Sequence, residues 1–327
     1  MGEFDLIARY FTRPPVPGSA VAVGVGDDCA VLQPAPGMQL AVSSDMLVQG
    51  RHFFADVDPR SLGHKALAVN LSDLAACGAE PLGFTLALAL PEANPAWLEP
   101  FAHGLLALAD AHGCQLVGGD TTAGPLNICI TVFGQVPRGQ ALLRSGAQVG
   151  DDIWVSGTLG DACLALQALQ GQVTLPPELL ERARQRLEWP TPRVALGQAL
   201  RGVASAALDV SDGLLGDLGH VLKSSRVGAE IDVHITTDLL ASGALQENAK
   251  GIFDAETMMP CALAGGDDYE LVFTAPAARR AAVQAASSAS GTQVTRIGRI
   301  TPAPGLRLLD RTGQPLPGRF ASFDHFA

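Results

Sequence analysis

Leu116-Val117-Gly118-Gly119-Asp120-Thr121-Thr122 sets an apolar strand tail against two glycines and one carboxylate. Paired glycines let a backbone turn sharply and come close to a bulky ligand. An Asp just beyond them stands at a strand's carboxyl end, where open α/β sheets hold their ligands. The same order recurs at Val23-Gly24-Val25-Gly26-Asp27-Asp28, Ala41-Val42-Ser43-Ser44-Asp45, Leu208-Asp209-Val210-Ser211-Asp212-Gly213 and Leu263-Ala264-Gly265-Gly266-Asp267-Asp268. Each is an apolar run, then Gly or Ser, then Asp. Helical stretches separate the strands in both halves of the chain, so the class is α/β.

An internal control bears on these loops. Asp is common in turns because its side chain bonds the local backbone. Gly150-Asp151-Asp152 repeats the letters of Gly26-Asp27-Asp28 but precedes its strand. It reads as a solvated turn at the opposite end of a parallel-type sheet. The five loops that follow their strands are free to converge.

Composition narrows what they could converge on. The 327 residues carry 22 Lys+Arg against 33 Asp+Glu, a net charge of −11. Nucleic-acid affinity rests on basic residues, so a nucleic-acid groove is excluded as a reading. The lysines are Lys65, Lys223 and Lys250 alone, which leaves arginine, backbone N–H groups or metal ions to hold an anion. Cys29, Cys77, Cys114, Cys129, Cys163 and Cys261 stand singly, without a C-x-x-C, as reduced thiols of a cytoplasmic protein do. The sequence Met1-Gly2-Glu3-Phe4-Asp5-Leu6 has neither the basic start of a signal peptide nor a myristoylation pattern. The longest apolar run, Phe84 to Leu90, is too short to span a bilayer.

Carboxylates gathered in one cleft repel. Two of them about 4 Å apart cost about 4 kcal/mol at an effective dielectric near 20, so they must protonate or bind cations. The loops offer oxygen ligands, with no His and no zinc-type cysteine pair. Mg²⁺ uses one or two carboxylates with waters and substrate phosphates. The reading is several Mg²⁺ ions bridging protein to polyphosphate, the chemistry of nucleotide-dependent phosphoryl transfer. There is no G-x-x-x-x-G-K-[ST], no third glycine after Gly24-Val25-Gly26, and no kinase H-R-D or D-F-G set. Ser211 lies between acids without a neighbouring His, which argues against a nucleophilic serine.

Taken in order, the chain predicts a short helix over Glu3 to Tyr10, strands at Ala20 to Val25 and Gln39 to Val42, and a helix from Pro59 to Cys77 carrying Asn70 and Asp73. A strand at Phe84 to Leu90 follows. Asn94 then caps a helix that Gly113 ends. Strands end at Val117 and span Asn127 to Val132. The polar, Gly-bearing stretch Pro137 to Gly150 marks the boundary, giving domains 1–145 and 146–327. The second domain is read as strand Ile153 to Ser156, helices Asp161 to Leu169, Pro177 to Glu188 and Arg193 to Leu200, and strand Ala204 to Leu208. Helix Asp212 to Ser224 and strand Ile231 to Ile235 follow. A strand tail at Ala262-Leu263, strand Glu270 to Thr274, an Ala-rich helix and two further strands complete it.

Five motifs, Gly26-Asp27-Asp28-Cys29-Ala30, Val69-Asn70-Leu71-Ser72-Asp73-Leu74-Ala75, Val117-Gly118-Gly119-Asp120-Thr121-Thr122, Asp209-Val210-Ser211-Asp212-Gly213-Leu214 and Gly266-Asp267-Asp268-Tyr269-Glu270-Leu271, come in the order found in thiamine-monophosphate kinases. The resemblance runs from Gly2-Glu3-Phe4 to Asp324-His325-Phe326. It implies two α/β domains of the aminoimidazole ribonucleotide synthetase-like type and a homodimer formed through the N-terminal domains. It implies ATP-dependent phosphorylation of thiamine monophosphate. By position, Asp28, Ser43, Ser44, Asp45, Asp73, Asp120, Asp209 and Asp212 resemble the family's magnesium residues. Gly119, Asp120, Arg144 and Ser211 resemble its nucleotide contacts. His52, Asp267 and Phe323 stand where it holds the thiamine substrate. Asp267 replaces the family's usual Glu, and Phe323 its usual Tyr or Trp.

The implied mechanism is direct in-line transfer without a phosphoenzyme, with Asp120, Asp212 and Arg144 as its catalytic groups. The acceptor phosphate is already ionised, so no general base is needed. The alternatives are another ATP-using synthetase of the superfamily or a non-catalytic divalent-cation binder.

Overall fold

A computed structural model describes residues 2–13, 16–237 and 255–316. The chain divides into two compact units, Met1–Leu74 with Ala79–Ala141, and Ala75–Gly78 with Leu142–Ala327.

The first unit opens with α1 (Glu3–Leu6), which continues into a π-helical turn at Ile7–Phe11. A hairpin follows, of β1 (Val21–Val23) and β2 (Val31–Leu32). Its main sheet has the order β3-β6-β4-β5, from β3 (Met38–Val48), β4 (Glu80–Leu90), β5 (Gln115–Ala123) and β6 (Asn127–Pro137). Only β4 and β5 pair in parallel, joined through α3 (Pro95–Ala111). Asn94 caps α3 by accepting the N–H of Ala96 at 3.0 Å, with Pro95 at the first helical position, as expected from the sequence. Phe84, Leu86, Leu88, Ile128, Ile130 and Val132 are buried with Leu67, Leu71 and Leu74 of α2 (Pro59–Ala76) and Phe101 and Leu105 of α3.

Two stretches expected to be loops are strand. β3 does not end at Val42; it pairs with β6 from Met38↔Pro137 to Val48↔Asn127, carrying Ser43-Ser44-Asp45 in mid-strand. Asp120 likewise lies inside β5, opposite Ala87 of β4. Turn chemistry predicts a break at such polar residues. Strand alternation instead sends Ser43 and Asp45 to one face and Leu40, Val42 and Met46 to the other. The last three are about half exposed, at 50%, 55% and 53%.

The second unit is a six-stranded sheet of order β12-β9-β11-β7-β10-β8. Its strands are β7 (Asp151–Ser156), β8 (Ala206–Val210), β9 (Gly228–Asp232), β10 (Glu270–Pro276), β11 (Val294–Thr301) and β12 (Gly305–Leu309). The helices are α4 (Asp161–Leu169), α5 (Pro177–Glu188), α6 (Val194–Ala199), α7 (Leu214–Ser225), α8 (Val233–Thr237), α9 (Ala255–Ala264) and α10 (Arg280–Ser290). Ile153, Val155, Leu208, Val210, Leu218, Ile231, Val272 and Ile297 share one buried cluster. A smaller cluster joins α4 and α5 to Cys261.

Here the sheet corrects the parallel-type expectation: only the β12–β9 pair is parallel. Ala262-Leu263 is helix α9 rather than a strand tail, so the Gly265–Asp268 loop precedes its strand. Because β10 runs antiparallel to both β7 and β8, its start still lies at their carboxyl ends. The strand expected over Ile231 to Ile235 stops at Asp232, where the Thr236 hydroxyl turns back onto the Asp232 carbonyl at 3.0 Å. Gly150-Asp151-Asp152 is not a solvated turn. Asp151 and Asp152 begin β7 and are buried, Asp152 between Arg280 at 2.5 Å and Arg296 at 2.6 Å.

Candidate active site

In the first unit, β3 and α2 assemble one polar group. Ser43 Oγ donates to Asp73 Oδ2. The Asp45 N–H donates to Asn70 Oδ1 at 3.2 Å, and Asn70 in turn donates to the Ala66 carbonyl at 3.0 Å. This gives the mid-helix Asp73 its reason: it meets the strand face that Ser43 shares with Asp45. Ser44 points the other way. Its hydroxyl donates to the Ile130 carbonyl at 3.1 Å and lies 3.0 Å from Thr131 Oγ1.

A second group sits at the β5 edge. A cavity of about 690 Å³ is lined by Ile7, Phe11, Asp27, Asp28, Gly119 and Asp120 among others. Gly119 has φ +148°, and a Cβ there would lie 1.9 Å from the Leu86 carbonyl oxygen. Only glycine permits that approach. Among the described residues, no Lys or Arg pairs with Asp27, Asp28 or Asp120. The two groups are not adjacent. Asp45, Ile130, Leu86 and Gly119 form one row across the sheet. That puts Asp45 and Gly119 three strand spacings apart, about 14 Å. Among the described residues, no three His, Cys, Asp or Glu side chains gather closely enough to hold a metal ion. His52 lies in the turn after β3, its Nδ1 accepting the Val48 N–H at 3.0 Å.

In the second unit, Asp209 is buried within β8, and Ser211-Asp212-Gly213 links that strand to α7. One oxygen of Asp217 accepts the N–H groups of Ser211, Asp212 and Gly213 at 3.0, 3.0 and 3.1 Å. These donors form the kind of nest that binds anions, but it is already filled from within. Ser211 therefore has its hydroxyl, not its N–H, to offer a ligand. Burial pushes the Asp217 carboxyl up to about 6, against the pull of the three N–H bonds. Sequence reasoning missed this residue. Its one signal was an acid in the first turn of a helix, an ordinary dipole partner.

The Gly265–Asp268 loop lies against the same strand end. The Asp267 N–H donates to the Ser211 carbonyl at 2.9 Å, and the Tyr269 N–H to the Val210 carbonyl at 2.8 Å. Asp267 and Tyr269 have φ of +68° and +51°, a costly conformation for residues with a Cβ. The surroundings hold it in place. Tyr269 Oη donates to Asp267 Oδ1 at 3.0 Å, and Asp268 accepts the Gly160 N–H at 2.9 Å. Glu270, fully buried, is gripped by Arg186 and Arg193 at 2.5 Å each and by the Ser156 hydroxyl at 2.6 Å. Burial raises Asp268 well above the ordinary carboxyl range.

Arg144 is exposed, with its carbonyl accepting Ser225 Oγ at 3.3 Å at the far end of α7. Ser211 precedes the near end, so the 12-residue helix separates them by about 18 Å. The structure thus brings Asp209, Ser211, Asp212 and Asp267 together and leaves Arg144 apart. Phe323 lies outside the described residues.

Comparison with known proteins places this geometry. Residues 26–136 match the family described as AIR synthase related protein, N-terminal domain, and residues 148–311 its C-terminal domain. The chain is 46% identical over 328 residues to the thiamine-monophosphate kinase of Salmonella typhimurium, spanning 100% of this chain and 98% of that protein. Its likeness to the Escherichia coli K12 kinase is also 46%, over 329 residues, with the same coverage. The crystal structure of the Stenotrophomonas maltophilia kinase superposes with a TM-score of 0.82 at 49% identity, covering 89% of this chain and 92% of that one. AaThiL, solved in complex with AMPPCP and TMP, gives 0.76 at 29% identity, covering 90% and 89%.

Proposed function

The chain belongs to the thiamine-monophosphate kinase family, and from that premise we propose how its residues divide the work. It transfers a phosphoryl group from ATP to thiamine monophosphate, forming thiamine diphosphate. The observation that carries this reading is the pair of ligands, AMPPCP and TMP, in AaThiL, a protein this chain matches over 90% of its length.

Magnesium fits the residues present. The donors are carboxylates and hydroxyls, and Asp28 and Asp120 face a cavity without a basic partner. Sparse protein ligation suits an ion that keeps waters and binds substrate phosphates. In the first unit Asp28, Ser43, Asp45, Asp73 and Asp120 would hold it, Ser44 being turned to the opposite face of β3; in the second unit Asp209 and Asp212 would hold it. Bound there, the ions would offset the repulsion between donor and acceptor phosphates.

The chain's own groups do the rest. Gly119 lets the β5 backbone lie close to the nucleotide, and the Ser211 hydroxyl donates to it. Arg144 supplies fixed positive charge. His52, Asp267 and Phe323 hold the thiamine moiety. The acceptor oxygen attacks directly, in line with the bond to the departing ADP, and no covalent intermediate forms on the chain.

The active form is a homodimer through the first unit. Leu40, Val42 and Met46 make an apolar stripe on the open face of β3, a surface that a partner would cover. The 14 Å gap between the two polar groups of the first unit supports a site completed across that dimer. The compartment is the cytoplasm; among the described residues no helix is long and apolar enough to cross a membrane.

The test is a product assay: ATP and thiamine monophosphate in, ADP and thiamine diphosphate out, with and without a chelator. Stoichiometric ADP and thiamine diphosphate, abolished by chelation, is the expected result. ADP release only with a purine precursor, or metal uptake with no turnover, would overturn the reading.

A further inference from the structure

Two thiols outside the proposed machinery lie in one cluster. Cys163 stands in the first turn of α4 and Cys261 near the end of α9. They are far apart in sequence, yet both pack into the same cluster, and Gly265 lies against the Cys261 carbonyl and the Cys163 side chain alike. Cys261 is buried among apolar residues of α4 and α5, and Cys163 packs against the same cluster, half-buried. Gln167 Nε2 also reaches the Cys163 sulfur, at 3.6 Å.

The pair also abuts the Asp267 loop. Gly265 donates its N–H to the Cys261 carbonyl at 3.1 Å. A Cβ at Gly265 would lie 2.5 Å from Cys163 Cβ and 3.0 Å from its sulfur. The loop backbone therefore lies directly on the two cysteines, two residues ahead of Asp267. Any movement that draws the sulfurs together must displace Gly265 or the end of α9.

We propose that Cys163 and Cys261 form a reversible oxidation site, closing to a disulfide that shifts the Gly265–Asp267 loop and weakens acceptor binding. The effect on the acceptor rests on the reading of Asp267 as a thiamine contact; the disulfide itself does not. The oxidant is hydrogen peroxide. The Cys163 thiolate attacks one peroxide oxygen, the O–O bond breaks, and sulfenic acid and hydroxide result. The Cys261 sulfur then attacks the sulfenic sulfur. The S–S bond forms, the S–O bond breaks, and the hydroxyl leaves with the Cys261 proton as water. The two sulfurs together give up two electrons, and the peroxide is reduced to two waters. A dithiol reductant reverses the step.

The order of events follows from exposure. Cys163 is the more accessible, and the neighbouring Cys261 side chain lowers its thiol below the usual range. The Cys163 side chain and burial raise Cys261, which keeps its proton until the second step. Closing the bond brings the sulfurs to about 2.05 Å, well inside any non-bonded contact. α9 must therefore be pulled toward α4. Cys114 is the internal control: burial pushes its thiol up to about 12.

The test uses the full chain. It is treated with hydrogen peroxide, denatured, blocked with N-ethylmaleimide and mapped by peptide mass spectrometry. The expected species joins the Cys163 and Cys261 peptides and is lighter by two hydrogens than their sum. KM for thiamine monophosphate should rise several-fold while KM for ATP holds, and dithiothreitol should reverse both changes. Cys163→Ser should make KM insensitive to peroxide. The mapping of the unmodified chain stands even if that variant folds poorly. Recovery of Cys163 and Cys261 as free thiols, under conditions that oxidise the exposed Cys29, would overturn the proposal. A disulfide that leaves KM unchanged would overturn its link to the loop. A reduced enzyme that never phosphorylates thiamine monophosphate would sink the kinase assignment instead and leave the disulfide standing.

Discussion

Asp217 Oδ2 accepts the backbone N–H of Asp212 at 3.0 Å, and through it the first turn of α7 fixes the loop that carries a proposed magnesium residue. Asp217 is a positioning residue. Replacement by Ala would strand three N–H donors at once. Buried unsatisfied donors cost about 1–3 kcal/mol each, so a loss of roughly 3 kcal/mol is expected after partial rehydration. Asn keeps one acceptor oxygen and should stay near wild-type stability. Activity separates this role from mere support of the fold. A loop displaced by an ångström can cost about a hundredfold in turnover. Asp217→Ala should need more magnesium to reach half-maximal rate, measured by titrating the metal at saturating substrates, and Asp217→Asn should keep the wild-type midpoint. An unchanged magnesium midpoint in a folded Asp217→Ala enzyme would refute the positioning role.

Asp73 and Asp120 provide the test of a shared site. They belong to polar groups that lie on opposite edge strands of the first unit's sheet. If one site draws Asp73 from one protomer and Asp120 from its partner, Asp73→Asn and Asp120→Asn should each be nearly inactive. Co-refolded in equal amounts, they should recover about a quarter of wild-type activity, because half the dimers would be mixed and each would hold one intact site. A site contained in one protomer predicts no recovery. Size-exclusion chromatography of the mixture confirms that mixed dimers form.

How far the sequence carried depended on what decided each feature. α3 was legible because Asn94, Pro95 and Gly113 mark its two ends. Ser43-Ser44-Asp45 and Gly119-Asp120 were misjudged as loops because their ladder partners, on β6 and β4, are remote in sequence. Asp152 looked solvated because Arg280 and Arg296, which justify its burial, come well over a hundred residues later, and Asp151 because the Ser205 hydroxyl that donates to it lies 54 residues on. The acids of the site were visible as types. Their grouping was not, since it depends on which face of a strand each occupies and on the antiparallel course of β10.

Asp152 gives a pH-dependent consequence away from the site. The hydrogen bond from Arg280, then the nearby Arg296, hold its carboxyl below the ordinary range. A depressed carboxyl contributes stability that is full above its unfolded value and is lost as pH falls through the folded one. The unfolded value is about 3.9, so the loss begins near pH 4 and deepens below it. Asp152→Asn should lower the melting temperature by a few degrees at pH 7. The gap to wild type should narrow steadily as pH falls below 4, read from thermal melts across pH. The exposure of both arginines to salt keeps the effect modest, so it should also shrink in concentrated sodium chloride. A gap that widens in acid would show that the carboxylate is not stabilised by its arginines.

Tyr269 sets the aim of Asp267, and this separates acceptor binding from chemistry. Its hydroxyl donates to Asp267 Oδ1 at 3.0 Å, from a residue itself held at φ +51°. Tyr269→Phe removes the donor but keeps the ring, and a partly buried hydrogen bond to a charged group contributes about 1.5–3 kcal/mol. If Asp267 holds the thiamine moiety alike in ground and transition states, its loss should appear in KM for thiamine monophosphate and not in kcat. A rise of about tenfold in that KM corresponds to 1.4 kcal/mol, the lower end of that range. KM for ATP should not move. Asp267→Glu offers the complementary arm, since the longer side chain reaches further into the acceptor side and no longer meets the Tyr269 hydroxyl in the same place. The double variant should then show no added penalty from Tyr269→Phe, because the bond that substitution removes is already gone. Independent, additive losses in the double variant would mean that Tyr269 acts on the acceptor by some route other than Asp267.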